Sequence, residues 1–61
     1  MRLKIDLVMD NAAFDDDHRQ EAARILKRLA ERIQKNTDKT FHLADINGNN
    51  VGKAEFKGSR R

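Results

Sequence analysis

The sequence predicts an α+β domain in the order β-α-β-β: a three-stranded, mainly antiparallel sheet with one amphipathic helix packed on one face. Three observations predict it. Apolar and charged residues alternate near the start of the chain, a long middle stretch repeats apolar residues at helical spacing, and an Asn-Gly pair separates two further alternating runs.

The first strand comes from Leu3, Ile5 and Leu7 on one side and Arg2, Lys4 and Asp6 on the other, a period of two that marks a half-buried strand. Val8 and Met9 break the alternation and end it. Asp10-Asn11 opens a connection through Ala12, Ala13 and Phe14, and Phe14 is apolar and large enough to fold back onto the core.

The helix is the strongest signal. From His18 to Lys35 the apolar residues Ala22, Ile25, Leu26, Leu29, Ala30 and Ile33 fill an arc of roughly 140° at 100° per residue. Asp15, Asp16 and Asp17 at its start and cations at its end match the helix dipole, and one of the aspartates serves as N-cap. Lys27 with Glu31 and Glu31 with Lys35 are spaced to pair along the surface. Asn36 suits a left-handed cap at the C-terminal end.

Residues 36–40 are polar and form a loop. Phe41 and Leu43 restart a period of two, and Ala54 and Phe56 close one. Between them Asn47-Gly48 accepts the positive φ of a tight hairpin, with Ile46 and Val51 packing across the turn and Gly52 marking a bulge. If the last strand lies in the middle, every neighbour is antiparallel and the helix connects the two edges. A parallel pairing of the first two strands would also satisfy the right-handed crossover rule. The expected core is Leu3, Ile5, Leu7, Phe14, Ala22, Ile25, Leu26, Leu29, Ile33, Phe41, Leu43, Ile46, Ala54 and Phe56. Residues 1–57 are expected to make a single domain and residues 58–61 a flexible basic tail.

Sixty-one residues leave room for one core. Chains this short bury only about 60% of the surface their unfolded form exposes, so self-association is a natural reinforcement. There is no cysteine, which excludes disulfides and thiolate metal sites and fits a reducing, cytoplasmic setting. Charge is abundant but mixed, thirteen Lys and Arg against ten Asp and Glu for a net +3, which permits nucleic-acid binding without pointing to it. No apolar run reaches membrane-spanning length, and Met1 leads directly into alternating Arg-Leu-Lys-Ile, so a signal peptide is not expected.

No group of residues points to catalysis, a cofactor or a metal. Asp15-Asp16-Asp17 fans outward at a helix start, whereas a hard cation needs converging oxygens. In Asp45-Ile46-Asn47-Gly48-Asn49-Asn50 the glycine falls fourth and position twelve is Phe56, which is no calcium loop. His18 borders the apolar helix face as a half-buried side chain or a cap participant and His42 faces outward, with no nucleophile or carboxylate pair beside either. No Gly-rich phosphate loop leads into the helix.

The basic surface is the one candidate site. Arg24, Lys27, Arg28, Arg32 and Lys35 share the outward helix face, the possible contact for nucleic acid or a protein partner. Arg2, Lys4, Lys53 and Lys57, with His42, cluster on the uncovered sheet face against Asp6 and Glu55. The phenylalanines Phe41 and Phe56 are spent on the core, so that face lacks stacking platforms for single-stranded nucleic acid. The two open edges of the sheet offer a strand-addition site to a partner or to a second copy as a homodimer.

Asp10-Asn11-Ala12-Ala13-Phe14, Ala23-Arg24-Ile25-Leu26 with Leu29-Ala30 and Arg32-Ile33, and Asp45-Ile46-Asn47-Gly48-Asn49 with Val51-Gly52 together resemble a group of short uncharacterised proteins of tailed bacteriophages and prophages. The chain departs from that group in its more polar linker, residues 36–41, and in its basic tail. No activity is established for the group, so the resemblance implies an origin, with the host bacterial cytoplasm as location, and carries over no site residue. The expectation is a small phage or prophage accessory protein acting by protein–protein contact without catalysis. Inhibition of a host defence complex is a more specific form, and weak nonspecific nucleic-acid binding through the helix face is the alternative.

Overall fold

The computed structural model describes residues 1–58, so residues 59–61 of the expected tail lie outside the described residues. The elements are β1 (Arg2–Leu7), a 3-10 turn (Ala12–Phe14), α1 (His18–Lys35), β2 (Thr40–Ala44) and β3 (Asn50–Lys57). The sheet order is β1-β3-β2 with both pairings antiparallel, so β3 is central and α1 links the two edges. The parallel alternative does not occur.

The register explains the faces. Leu3, Ile5 and Leu7 stand opposite Phe56, Ala54 and Gly52, and Phe41 and Leu43 stand opposite Ala54 and Gly52 from the other side. Directly opposed residues in an antiparallel pair share a face. One face is therefore apolar, and the other carries Arg2, Lys4, Asp6, His42, Lys53, Glu55 and Lys57, as the alternation predicts. On that outer face Glu55 lies between Lys53 (3.5 Å) and Lys57 (3.8 Å).

Phe14, Ile25, Leu29, Phe41, Leu43, Val51 and Ala54 form the buried core, with Leu7, Ala13, Ile33 and Phe56 packed around it. Five expected core residues are in neither group: Leu3, Ile5, Leu26 and Ile46 are exposed and Ala22 is half-buried. The reason is the position of α1, which packs on β2 and the 3-10 turn. A helix about 10 Å across covers roughly two strands spaced about 4.8 Å apart. Its contact stripe is rotated to Glu21, Ile25 and Leu29, which leaves Leu26 and Ala30 exposed outside the stripe and β1 only partly covered.

The helix ends differ in how they are capped. Asp17 is the N-cap, accepting from the Gln20 amide at 3.2 Å. Asn36 does not adopt the left-handed conformation expected of it; its φ is −125° and ψ 150°. It closes the last turn instead by donating backbone and side-chain N–H to the Arg32 carbonyl, at 2.9 and 3.2 Å. His18, expected to be half-buried or to take part in the cap, is exposed, and Asp17 is the N-cap.

The hairpin is looser than a two-residue turn. Among the described residues only Gly48 and Gly58 have positive φ, so Asn47 stays in the ordinary region. The Gly48 amide donates to the Asp45 carbonyl and the Asp45 amide to the Asn49 carbonyl, both at 3.0 Å, which closes a three-residue loop with glycine last. Ile46 sits at the tip, 68% exposed, while Val51 turns inward. The bulge expected at Gly52 is present, because β2 shifts register between Leu43 and Ala44 and leaves Val51 as the extra residue.

Candidate functional site

Two surfaces stand out, the basic side of α1 and the uncovered edge at β1, and a buried polar cluster decides the geometry of the first. Asp45 is buried at the end of β2. Its Oδ1 accepts from the Asn47 and Asn49 amides at 2.9 Å each, and its Oδ2 accepts from the Asn11 and Asn49 side-chain amides at 2.7 and 3.3 Å. Burial pushes its carboxyl up, but the bonds from Asn49, Asn11 and Asn47 outweigh this and leave it below the usual value.

Glu21, also buried, reaches from α1 to the hairpin. Its two oxygens accept from Arg24 Nε and Nη2 at 2.9 Å, and Oε2 also accepts from the Ile46 amide at 2.9 Å. The Arg24 hydrogen bonds hold its carboxyl below the ordinary value against the effect of burial. Among the described residues, no buried side-chain polar atom lacks a partner and no cluster of His, Asp or Glu is arranged to hold a metal. The cluster is a clasp joining the 3-10 turn, α1 and the hairpin.

Neither carboxylate stood out in the sequence. Glu21 read as one more polar helix residue, although its position beside Ile25 and three before Arg24 is a usable signal. Asp45 read only as a turn residue. The run Asp45-x-Asn47-Gly48-Asn49 is the pattern of a side chain that caps its own loop.

The five predicted contact residues are not one free patch. Arg24, Arg28 and Arg32, each four residues apart, line a groove of about 380 Å³ between α1 and the segment Leu43–Gly48. Arg24 is committed to Glu21. Arg32 donates to the His42 carbonyl at 2.7 Å, and its guanidinium lies 5.4 Å from the centre of the Phe41 ring. Arg28, Lys27 and Lys35 are exposed, with Lys27 turned to a separate hollow beside Asp16, Asp17 and Ile46.

Arg32 also distinguishes the two edges of the sheet. The Phe56 amide donates to the Lys39 carbonyl, so in the alternating ladder Lys39, Phe41 and Leu43 bond to β3 while His42 turns its backbone to the outer edge. The Arg32 guanidinium occupies that carbonyl. At the opposite edge the Val8 amide donates to the Val51 carbonyl at 2.7 Å, in step with Arg2, Lys4 and Asp6 facing β3. Leu3, Ile5 and Leu7 therefore direct their N–H and C=O groups outward. Their side chains share the helix-side face, where Leu3 is 43% and Ile5 45% exposed.

Among the described residues no helix is long and apolar enough to cross a membrane. No family model, curated protein or solved structure matches the chain.

Proposed function

We propose that this chain acts by protein–protein contact, without catalysis, and that β1 is the strand through which it does so. The observation that carries this is the edge itself: backbone groups of Leu3, Ile5 and Leu7 turned outward beside two half-exposed aliphatic side chains. Edge strands are usually blunted, because open backbone beside apolar surface recruits another strand. Arg32 blunts β2 at the His42 carbonyl, and among the described residues no side chain bonds to the outward backbone groups of Leu3, Ile5 or Leu7. The resemblance of the Asp10–Phe14 and Asp45–Gly52 segments to short phage and prophage proteins supports an accessory role in an infected or lysogenic bacterium. Interference with a host defence complex is one form of that role, tested by phage plating on a defended host.

The test is a photo-reactive residue placed at position 5 and, separately, at position 42, in the expressing bacterium. A discrete protein adduct at position 5 and none at position 42 is expected. Adducts confined to position 42, or none at position 5, overturn the assignment of β1.

A second role, weak nonspecific binding of nucleic acid, has one observation in its favour: the arginine-lined groove of Arg24, Arg28 and Arg32. Two of these arginines are already engaged, which leaves Arg28 with Lys27 and Lys35 for phosphate. Binding of this kind falls steeply with salt. Fluorescence anisotropy with single-stranded DNA at low salt, repeated on Arg28→Ala, decides it: no binding at low salt removes the role.

A further inference from the structure

We infer that the partner of β1 is a second copy of this chain, paired antiparallel to it about a two-fold axis through Ile5. This rests on the assignment of β1 as the contact strand and adds the partner and the register.

Backbone direction, sidedness and charge meet on that register. The first is backbone direction. Only Leu3, Ile5 and Leu7 present N–H and C=O groups to the open edge, so a ladder must bond odd residues to odd residues. The second is the face. Leu3, Ile5 and Leu7 lie on the apolar side, and opposed residues share a side, so odd-to-odd pairing sets apolar against apolar and charged against charged. Among registers that overlap at least three residues of β1, these constraints leave four two-fold axes, at Leu3, Lys4, Ile5 or Asp6.

Charge selects among them. An axis at Leu3 sets Arg2 against Lys4 of the second copy. An axis at Lys4 sets Lys4 against Lys4, and one at Asp6 sets Asp6 against Asp6. With the axis at Ile5, Lys4 meets Asp6 of the second copy and Asp6 meets its Lys4, while Ile5 packs on Ile5 and Leu3 on Leu7. Like charges directly opposed destabilise a pair and opposite charges favour it. This is the one register of the four in which β1 opposes no like charges.

The product is a continuous six-stranded sheet with both helices on the same face. The two-fold contact is closed, since each copy uses the same strand once. Growth beyond the dimer would need the β2 edge, whose His42 carbonyl is taken by Arg32.

The experiment is light scattering after size exclusion on the full chain over a wide concentration range, with two charge reversals. The wild type is expected to reach a dimer mass. Lys4→Asp sets two aspartates against each other across the axis and Asp6→Lys sets two lysines, so each variant alone is expected to be monomeric. Mixed in equal amounts they regain opposite charges in both pairs and form a one-to-one heterodimer, while circular dichroism reports that each variant is folded. Amide exchange on the wild type is independent of the variants: the Leu3, Ile5 and Leu7 amides should slow as concentration rises.

A monomer at every concentration with fast exchange at those amides overturns the inference. So does a dimer that tolerates either reversal, or a mass that climbs past two copies. An adduct of a different protein at position 5, with the purified chain monomeric, overturns the second copy as partner and leaves β1 as the contact strand.

Discussion

Gly52 offers a sharp test of how β3 is built, because its φ is not in the positive region and a turn-based rule would pass it by. The bulge at Val51 rotates the Gly52 backbone so that a side chain there would point into the sheet plane. An added Cβ would collide with the Asp6 carbonyl oxygen and come within 3.0 Å of the Asp6 carbonyl carbon and the Leu7 Cα. All three atoms are backbone of β1, so none can swing aside. Relief requires β1 and β3 to part locally, at the cost of the bond from the Val8 amide to Val51 and the neighbouring exchange at Asp6 and Lys53. Two or three such bonds at about 1 kcal/mol each, offset by roughly 0.5–1 kcal/mol gained from the stiffer unfolded chain, leave Gly52→Ala destabilised by about 2 kcal/mol. A 61-residue chain holds roughly 3–9 kcal/mol in all, so the loss is a large fraction.

Gly48→Ala is the control. Gly48 has φ of 88° and nothing within 4 Å of an added Cβ, so only backbone strain acts there, worth about 1 kcal/mol. Urea unfolding followed by circular dichroism should rank wild type above Gly48→Ala above Gly52→Ala. If Gly52→Ala is as stable as Gly48→Ala, the collision with β1 is not what keeps glycine at position 52.

Acid should loosen the clasp. Glu21 and Asp45 both titrate below their ordinary values in the folded chain, so the unfolded chain binds more protons as the solution is acidified. Their contribution is complete above the ordinary carboxylate range and is lost as pH falls below about 4; urea midpoints should be level from pH 7 to 5 and drop below that, with a shallower drop in Glu21→Gln. Asp45→Ala removes acceptors for four N–H groups, and exchange of the Asn47 and Asn49 amides should rise well beyond that of the Ala54 amide. Arg32→Ala should cost about 1 kcal/mol through the lost cation–π contact and hydrogen bond. It should also free the β2 edge, seen in light scattering as assemblies larger than those of the wild type. Leu43→Ala, at a fully buried position, should cost about 2–5 kcal/mol, whereas Leu26→Ala, half-exposed, should cost far less in the same urea titration.

Local pattern alone carries the element order, the helix from His18 to Lys35, the sidedness of each strand, the inward turn of Phe14 and the bulge near Gly52. Periodicity and turn chemistry are properties of neighbours along the chain, and each of these features depends on a few adjacent residues. The antiparallel arrangement with β3 in the middle follows from the same pattern as one of two options, and the three-dimensional packing chose between them.

What the sequence could not reveal is where one helix sits on three strands. Leu3, Ile5 and Leu26 have the alternation and spacing of core residues, and they would be core if α1 lay over the sheet centre. Glu21 bonded to the Ile46 amide and Asp45 bonded to Asn11 tie the helix and the 3-10 turn to the hairpin, and a helix's width covers only the two strands beneath it. Those bonds join residues 25 and 34 positions apart, a separation at which no local spacing rule operates. The same placement turns Arg24 and Arg32 from free cations into structural ones and leaves β1 as the uncovered edge. The sequence determined which faces are apolar; the tertiary structure decided which of them is covered, because burial depends on what lies opposite and not on what lies next in the chain.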